Sequence, residues 1–191
     1  MLVHGAAGAL GLAATQISKG LGMHVIATVN STAKGQIAKK FGADYIVDST
    51  GDWEKEVSAC TPEKRGVDVV LDPLGMIQRS LRCSRWDARL VVIGFAAGEI
   101  EKIPTNRYLL RNVSVAGLFW GMYAEKDPES VVAVWDALLE LIAQGKVKPM
   151  MYTEKQFKGL EAMPAALKLL ASGEAWGKIV VEIPQDGQSK L

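Results

Sequence analysis

Residues 3–35 read VHGAAGALGLAATQISKGLGMHVIATVNSTAKG. A short apolar run leads into the glycine-rich turn Gly5-Ala6-Ala7-Gly8-Ala9-Leu10-Gly11, and an amphipathic stretch follows. Against the pattern G-x-G-x-x-G, Gly8 and Gly11 match the second and third glycines, and Ala6 stands at the first. The second glycine lets the backbone approach a pyrophosphate, and the third lets a helix pack closely on a strand. The N–H groups and dipole at a helix N-terminus then favour phosphate. A strand before, a helix after and a βαβ unit of about 30 residues are the context this motif requires. The turn therefore reads as dinucleotide-binding.

The end of the second strand distinguishes between dinucleotides. In NAD sites an acidic residue about 20 positions on holds the ribose 2′-hydroxyl. Here that place falls on Asn30, followed by Ser31, Thr32 and Lys34. No carboxylate stands there to repel a 2′-phosphate, and two hydroxyls and a cation are available instead. A charge-assisted hydrogen bond contributes roughly 1.5–3 kcal/mol, about one to two decades of preference. The expected cofactor is NADPH. Ser31 or Thr32 would also cap the next helix, which is compatible with a phosphate at the same N-terminus.

Outward from this unit, strand-like and helix-like periods alternate. The runs 1–5, 24–29, 43–47, 66–72 (GVDVVLD) and 88–95 (ARLVVIGF) are apolar and short, as suits parallel strands covered on both faces. Leu10, Ala13, Ala14, Ile17 and Leu21 fall at helical spacing before Gly22, and a second helix is expected over 32–43, closing at Gly42. A long amphipathic helix carries Val131, Trp135, Leu138, Leu139 and Ile142 and ends near Gly145. The predicted fold is α/β, a doubly wound parallel sheet of Rossmann type with right-handed crossovers. It occupies 1–146. A strand–helix–strand segment of different character follows over 147–184, and 185–191 reads as a polar tail.

Bulk properties exclude several classes. Net charge is +1, with 49% hydrophobic and 23% charged residues, which fits a packed core and gives no reason to expect nucleic acid as partner. No apolar run is long enough to cross a bilayer, and no secretory leader pattern opens the chain. Cys60, Cys83, His4 and His24 are too few and too scattered for a zinc site, and reduced cysteines suit a cytoplasmic protein. Neither a Ser/His/Asp arrangement nor paired carboxylates are legible, so no catalytic side chain and no metal ligand is assigned.

With these residues in view, the chain resembles the medium-chain dehydrogenase/reductase superfamily, and within it the NADPH:quinone oxidoreductase-like branch. The resemblance runs co-linearly over residues 2–183, through VHGAAGALGLAATQ, AKKFGADYIVD, VDVVLDPLG, RLVVIGFAAGEIEKIPTN, NVSVAGLFWGMY and GKIVVEI. It implies that Gly8, Ala9, Leu10 and Gly11 wrap the pyrophosphate and that Ser31 and Lys34 meet the 2′-phosphate. Gly94 and Phe95 would lie beside the nicotinamide, and main-chain atoms at Gly117 and Phe119 would hold its carboxamide. Lys178 is a further cofactor contact on the same grounds. Two positions depart from the pattern: Ser49 stands where many relatives place a tyrosine against the adenine, and Met76 where a second glycine is usual.

The resemblance also implies zinc-free hydride transfer from the nicotinamide to a quinone or enone. It implies a homodimer through the edge strand in 112–121. Relatives carry a GroES-like catalytic domain before the glycine turn, so 147–184 is expected to be the return segment of a domain missing here. Its apolar face (Leu160, Met163, Ala166, Leu167, Leu170) would then be left partly uncovered. Two other functions fit the same residues: an enoyl reductase of the superfamily, and a non-catalytic NADPH-binding or interaction module.

Overall fold

Because a parallel strand cannot turn directly back on itself, each apolar run here must be followed by a crossover. The computed structural model describes residues 1–184 and shows the result. The order is β1 (Leu2–Val3), α1 (Ala9–Gly20), β2 (Ile26–Val29), α2 (Thr32–Lys40), β3 (Tyr45–Asp48), α3 (Trp53–Ala59), β4 (Val67–Asp72), α4 (Ile77–Ser80), β5 (Ser84–Val92), α5 (Thr105–Leu109) and β6 (Ser114–Gly117). Then follow α6 (Tyr123–Lys126), α7 (Pro128–Ala143), β7 (Phe157–Lys158), α8 (Met163–Ser172) and β8 (Val181–Glu182). The main sheet has the order β3-β2-β1-β4-β5-β6, and every pairing in it is parallel. The order reverses between β1 and β4. A crevice at the carboxyl ends of the strands, where ligands bind in open α/β sheets, is expected there.

Each face of the sheet has its own core. On one side Trp53, Val57, Ile77, Leu81 and Tyr108 pack from α3, α4 and α5 onto Leu2, Val70 and Leu90. On the other, Leu12, Ala38, Phe41 and Trp176 pack onto Val3, Ala27 and Val29. Trp176 comes from the C-terminal segment. That segment is tied to the sheet domain by Gly177 N–H donating to the Ala7 carbonyl (2.9 Å). The Gln16 amide also closes a pair of hydrogen bonds with the Lys148 backbone (3.1 and 2.9 Å).

Four expectations need correction. Gly11, Leu12, Thr15, Gln16 and Ser18 form the buried face of α1, whereas Leu10 and Leu21 are 49% and 62% exposed. The helix lies so near the sheet that Leu12 is joined on this face by the small residues Gly11, Thr15 and Ser18. The second helix stops at Lys40, and Gly42 with φ +106° turns the chain toward β3. β5 begins and ends earlier than 88–95. After Ile93 the N–H groups of Ala96 and Ala97 turn to the carbonyls of Pro73 and Leu74. Finally, α7 touches α1, where Leu141 approaches Gly20, but Trp135, Leu139 and Ile142 remain exposed.

In the C-terminal segment a strand, a helix and a strand occur as read, with β7 paired to β8. Ala166 is buried while Leu160, Leu167 and Leu170 are more than half exposed. The tail at 185–191 lies outside the described residues.

Candidate functional site

The turn after β1 is shaped by three glycines. Gly5 has φ +58°, a conformation side-chain-bearing residues rarely adopt. A Cβ on Gly11 would lie 2.5 Å from the Gly5 carbonyl oxygen and 2.6 Å from the Ala6 Cα. Both are backbone atoms, so only glycine lets α1 start this close to the strand. Ala6, at the position of the motif's first glycine, is fully buried and donates its N–H to the Thr28 carbonyl. The left-handed residue is therefore Gly5, one place earlier than the motif count suggests.

The first intrahelical hydrogen bond of α1 runs from Leu12 N–H to the Gly8 carbonyl (2.9 Å). The N–H groups of Leu10 and Gly11 have no acceptor among the described residues, and that of Ala9 is turned to Gly177 by an isolated parallel bridge between Gly8 and Gly177. Together they stand at the positive end of a helix of 12 residues. At Gly8, the residue before this helix, opens a cleft of about 280 Å³ walled by Gly5, Gly8, Thr28, Asn30, Lys34, Ser49, Leu74 and Ala175, among others; Ala9, Leu10 and Gly11 are not among its walls. No acidic side chain is among its walls.

Gly8, Asn30 and Lys34 thus meet in one cavity. Lys34 Nζ donates to Asn30 Oδ1 (3.1 Å) and to the Gly173 carbonyl (2.6 Å). Ser31 caps α2, its hydroxyl accepting the Lys34 N–H at 3.4 Å, and faces a neighbouring groove with Thr32. Ser49 lines the cleft and donates to the Val29 carbonyl.

Gly94, Phe95, Gly117 and Phe119 stand outside this cleft, along the carboxyl ends of β5 and β6. Gly117 pairs with Val92, and Phe95 and Phe119 are 42% and 73% exposed. Two carboxylates, the buried Asp72 and the half-buried Glu101, hold the loop that leads there. Asp72 accepts the N–H groups of Leu74, Gly75 and Met76 (2.8, 3.0 and 2.5 Å), which gives Met76 a backbone role. Glu101 accepts those of Ile77 (2.5 Å) and Gln78, and burial raises its pKa above the usual carboxylate value. Lys178 joins the site only indirectly, its backbone bridging Met150 and Tyr152 while its neighbour Gly177 holds Ala7.

His4, beneath the turn, is structural. Nε2 lies 2.7 Å from Ser80 Oγ and Nδ1 2.8 Å from Thr28 Oγ1. The Ser80 hydroxyl donates its proton to the Met76 carbonyl (2.7 Å), so His4 carries its hydrogen on Nε2 and accepts at Nδ1. Burial pushes its pKa down to about 4. Motif reading missed Gly5, Thr28, Leu74, Gly173 and Ala175. Gly5 was legible as one more glycine in the turn, but Gly173 and Ala175 carry no local signal.

The family model described as zinc-binding dehydrogenase matches residues 9–143. The chain belongs to that family. Its relatives place it in the quinone oxidoreductase-like branch of the medium-chain dehydrogenase/reductase superfamily. It is 30% identical over 97% of its length to a quinone oxidoreductase-like protein 2 homolog of Nematostella vectensis, of which it covers 51%. Among solved structures, Escherichia coli quinone oxidoreductase complexed with NADPH superposes with TM-score 0.81 at 26% identity, over 95% of this chain and 56% of that one. CurK enoyl reductase gives 0.78 at 27%, over 96% and 54%. The chain thus spans about half the length of the family members it matches. Among the described residues of this dehydrogenase-family chain, no three His, Cys, Asp or Glu side chains converge as a metal site.

Proposed function

We propose that this chain holds NADPH at the glycine turn and serves an oxidoreductase of the quinone reductase type. The observation that carries this reading is the acid-free cleft between the α1 N-terminus and Lys34. The cleft fits the group: Gly8 lines it with no side chain in the way, the N-terminus of α1 with the unpaired Leu10 and Gly11 N–H groups starts beside it, and the Lys34 cation is another of its walls.

Gly8, Ala9, Leu10 and Gly11 receive the pyrophosphate, and Lys34 with Ser31 receives the 2′-phosphate while Asn30 orients the lysine. The backbone at Gly94 and Gly117, with Phe95 and Phe119, flanks the nicotinamide at the ends of β5 and β6. When bound, the dihydronicotinamide supplies a hydride at C4. The chain's own part is to position cofactor and acceptor, and no side chain is assigned to proton transfer. The acceptor class is a quinone or an enone.

The likeness to CurK enoyl reductase supports an enoyl reductase as second reading. A cytoplasmic location is part of the proposal, from the unpaired Cys60 and Cys83. So is a homodimer through β6, an edge strand of the main sheet.

Calorimetric titration with NADPH, NADH and the Lys34→Ala variant tests the reading. Micromolar NADPH binding that Lys34→Ala weakens about tenfold or more supports it, and no binding of either nucleotide overturns it. Turnover of a quinone and enone panel then separates the two reductases, and binding without any turnover indicates a non-catalytic module.

A further inference from the structure

Of the chain's seven arginines, six lie between residues 79 and 111, and the fold gathers three of these around one cavity. Arg82, Arg107 and Arg111 line a space of about 370 Å³ between the end of α4 and α5, completed by Gln78, Leu81 and Leu110. No carboxylate is among its walls. Arg111 is held in place, its Nη1 donating to the carbonyls of Leu81 (3.0 Å) and Ser84 (3.1 Å). Arg107 has no ion pair or side-chain hydrogen bond among the described residues. Arg82 reaches only Glu54 Oε1 at 3.5 Å, and Arg79 already holds that carboxylate with two bonds of 2.8 Å. The nearby Glu101 is turned to the first N–H groups of α4.

Three cationic side chains on the walls of one space repel one another, and with Arg82 only loosely balanced by Glu54 an anion in that space relieves the repulsion. Their planar forks match the oxygens of a phosphate. The space exceeds what a phosphate alone needs, and Leu81 and the exposed Leu110 add an apolar wall. We propose that this cavity is a second anion site, for a phosphomonoester with a small organic body. It belongs to the sheet face covered by α3, α4 and α5, opposite α1 and α2, and shares no residue with the dinucleotide cleft.

The test is calorimetric titration of the chain with phenyl phosphate and with inorganic phosphate at constant ionic strength. Arg107→Gln, Arg107→Lys, Lys34→Ala and Lys40→Gln are titrated in parallel, each first shown folded by its thermal unfolding. We expect Arg107→Gln to weaken phenyl phosphate binding about tenfold or more. Arg107→Lys keeps the charge without the fork and falls between, and Lys40→Gln, on α2, leaves binding unchanged, while Lys34→Ala reports any phosphate held in the dinucleotide cleft. Tighter binding of phenyl phosphate than of phosphate assigns an organic phosphomonoester; equal binding assigns free phosphate. The proposal is overturned by an absence of binding, by equal binding in Arg107→Gln, or by equal losses in Arg107→Gln and Lys40→Gln. A loss confined to Lys34→Ala would place the ligand in the dinucleotide cleft and also overturn it, without bearing on that cleft's own function.

Discussion

At the residue scale, Gly11 and His4 illustrate two ways in which one position constrains the site. Any Cβ at Gly11 meets backbone at 2.5–2.9 Å, and backbone cannot move aside as a side-chain end can. Gly11→Ala should therefore cost about 3 kcal/mol and lower Tm by roughly 6–12 °C, read by calorimetric melting, with NADPH binding lost in step. His4 couples stability to pH. The unfolded imidazole takes its proton near pH 6.5 and the folded one only near pH 4, so between these values the unfolded chain holds more protons. Stability is fully present above about pH 6.5 and falls as pH drops toward 4, by about 3 kcal/mol. Urea unfolding across that range measures it, and His4→Gln should flatten the slope.

At the element scale, the C-terminal segment is stitched to the turn by very few groups. Gly177 has φ +59°, and a Cβ there would press on the Met150 carbonyl. Gly177→Val should release the contact with Ala7 and raise hydrogen exchange at Lys148 and 174–178, while the six-stranded sheet keeps its protection. Because Gly173 holds Lys34 and Ala175 walls the cleft, the same variant should also weaken NADPH binding. If exchange stays unchanged, the segment is anchored chiefly through Trp176 and Gln16.

At the scale of the whole molecule, apolar surface is left open on several elements. Among them α7 exposes Trp135, Leu139 and Ile142, α8 and the turn before it expose Leu160, Leu167 and Leu170, and β6 with the residues after it exposes Val115 and Phe119. Of these, β6 alone combines exposed apolar side chains with an unpaired strand edge, the usual template for another strand. Val115→Lys should convert a dimer into a monomer in light scattering at micromolar concentration. A wild-type monomer at high concentration would count against pairing through this strand.

The sequence by itself determined the sheet and the glycine turn. Short, continuous apolar runs separated by helical periods admit little besides a doubly wound sheet, and Gly8, Gly11, Asn30 and Lys34 are read from spacing because one βαβ unit positions all of them. The buried face of α1 was not legible, since close approach placed the small residues Gly11, Thr15 and Ser18 beside Leu12 and left Leu10 and Leu21 exposed. Neither were the Lys34–Gly173 bond nor the arginine cavity, whose partners stand 139 residues apart in the first and on separate crossovers in the second. Long-range juxtapositions of this kind leave no periodic trace in the chain. They arise only when the fold brings distant segments side by side, and there the tertiary structure decided them.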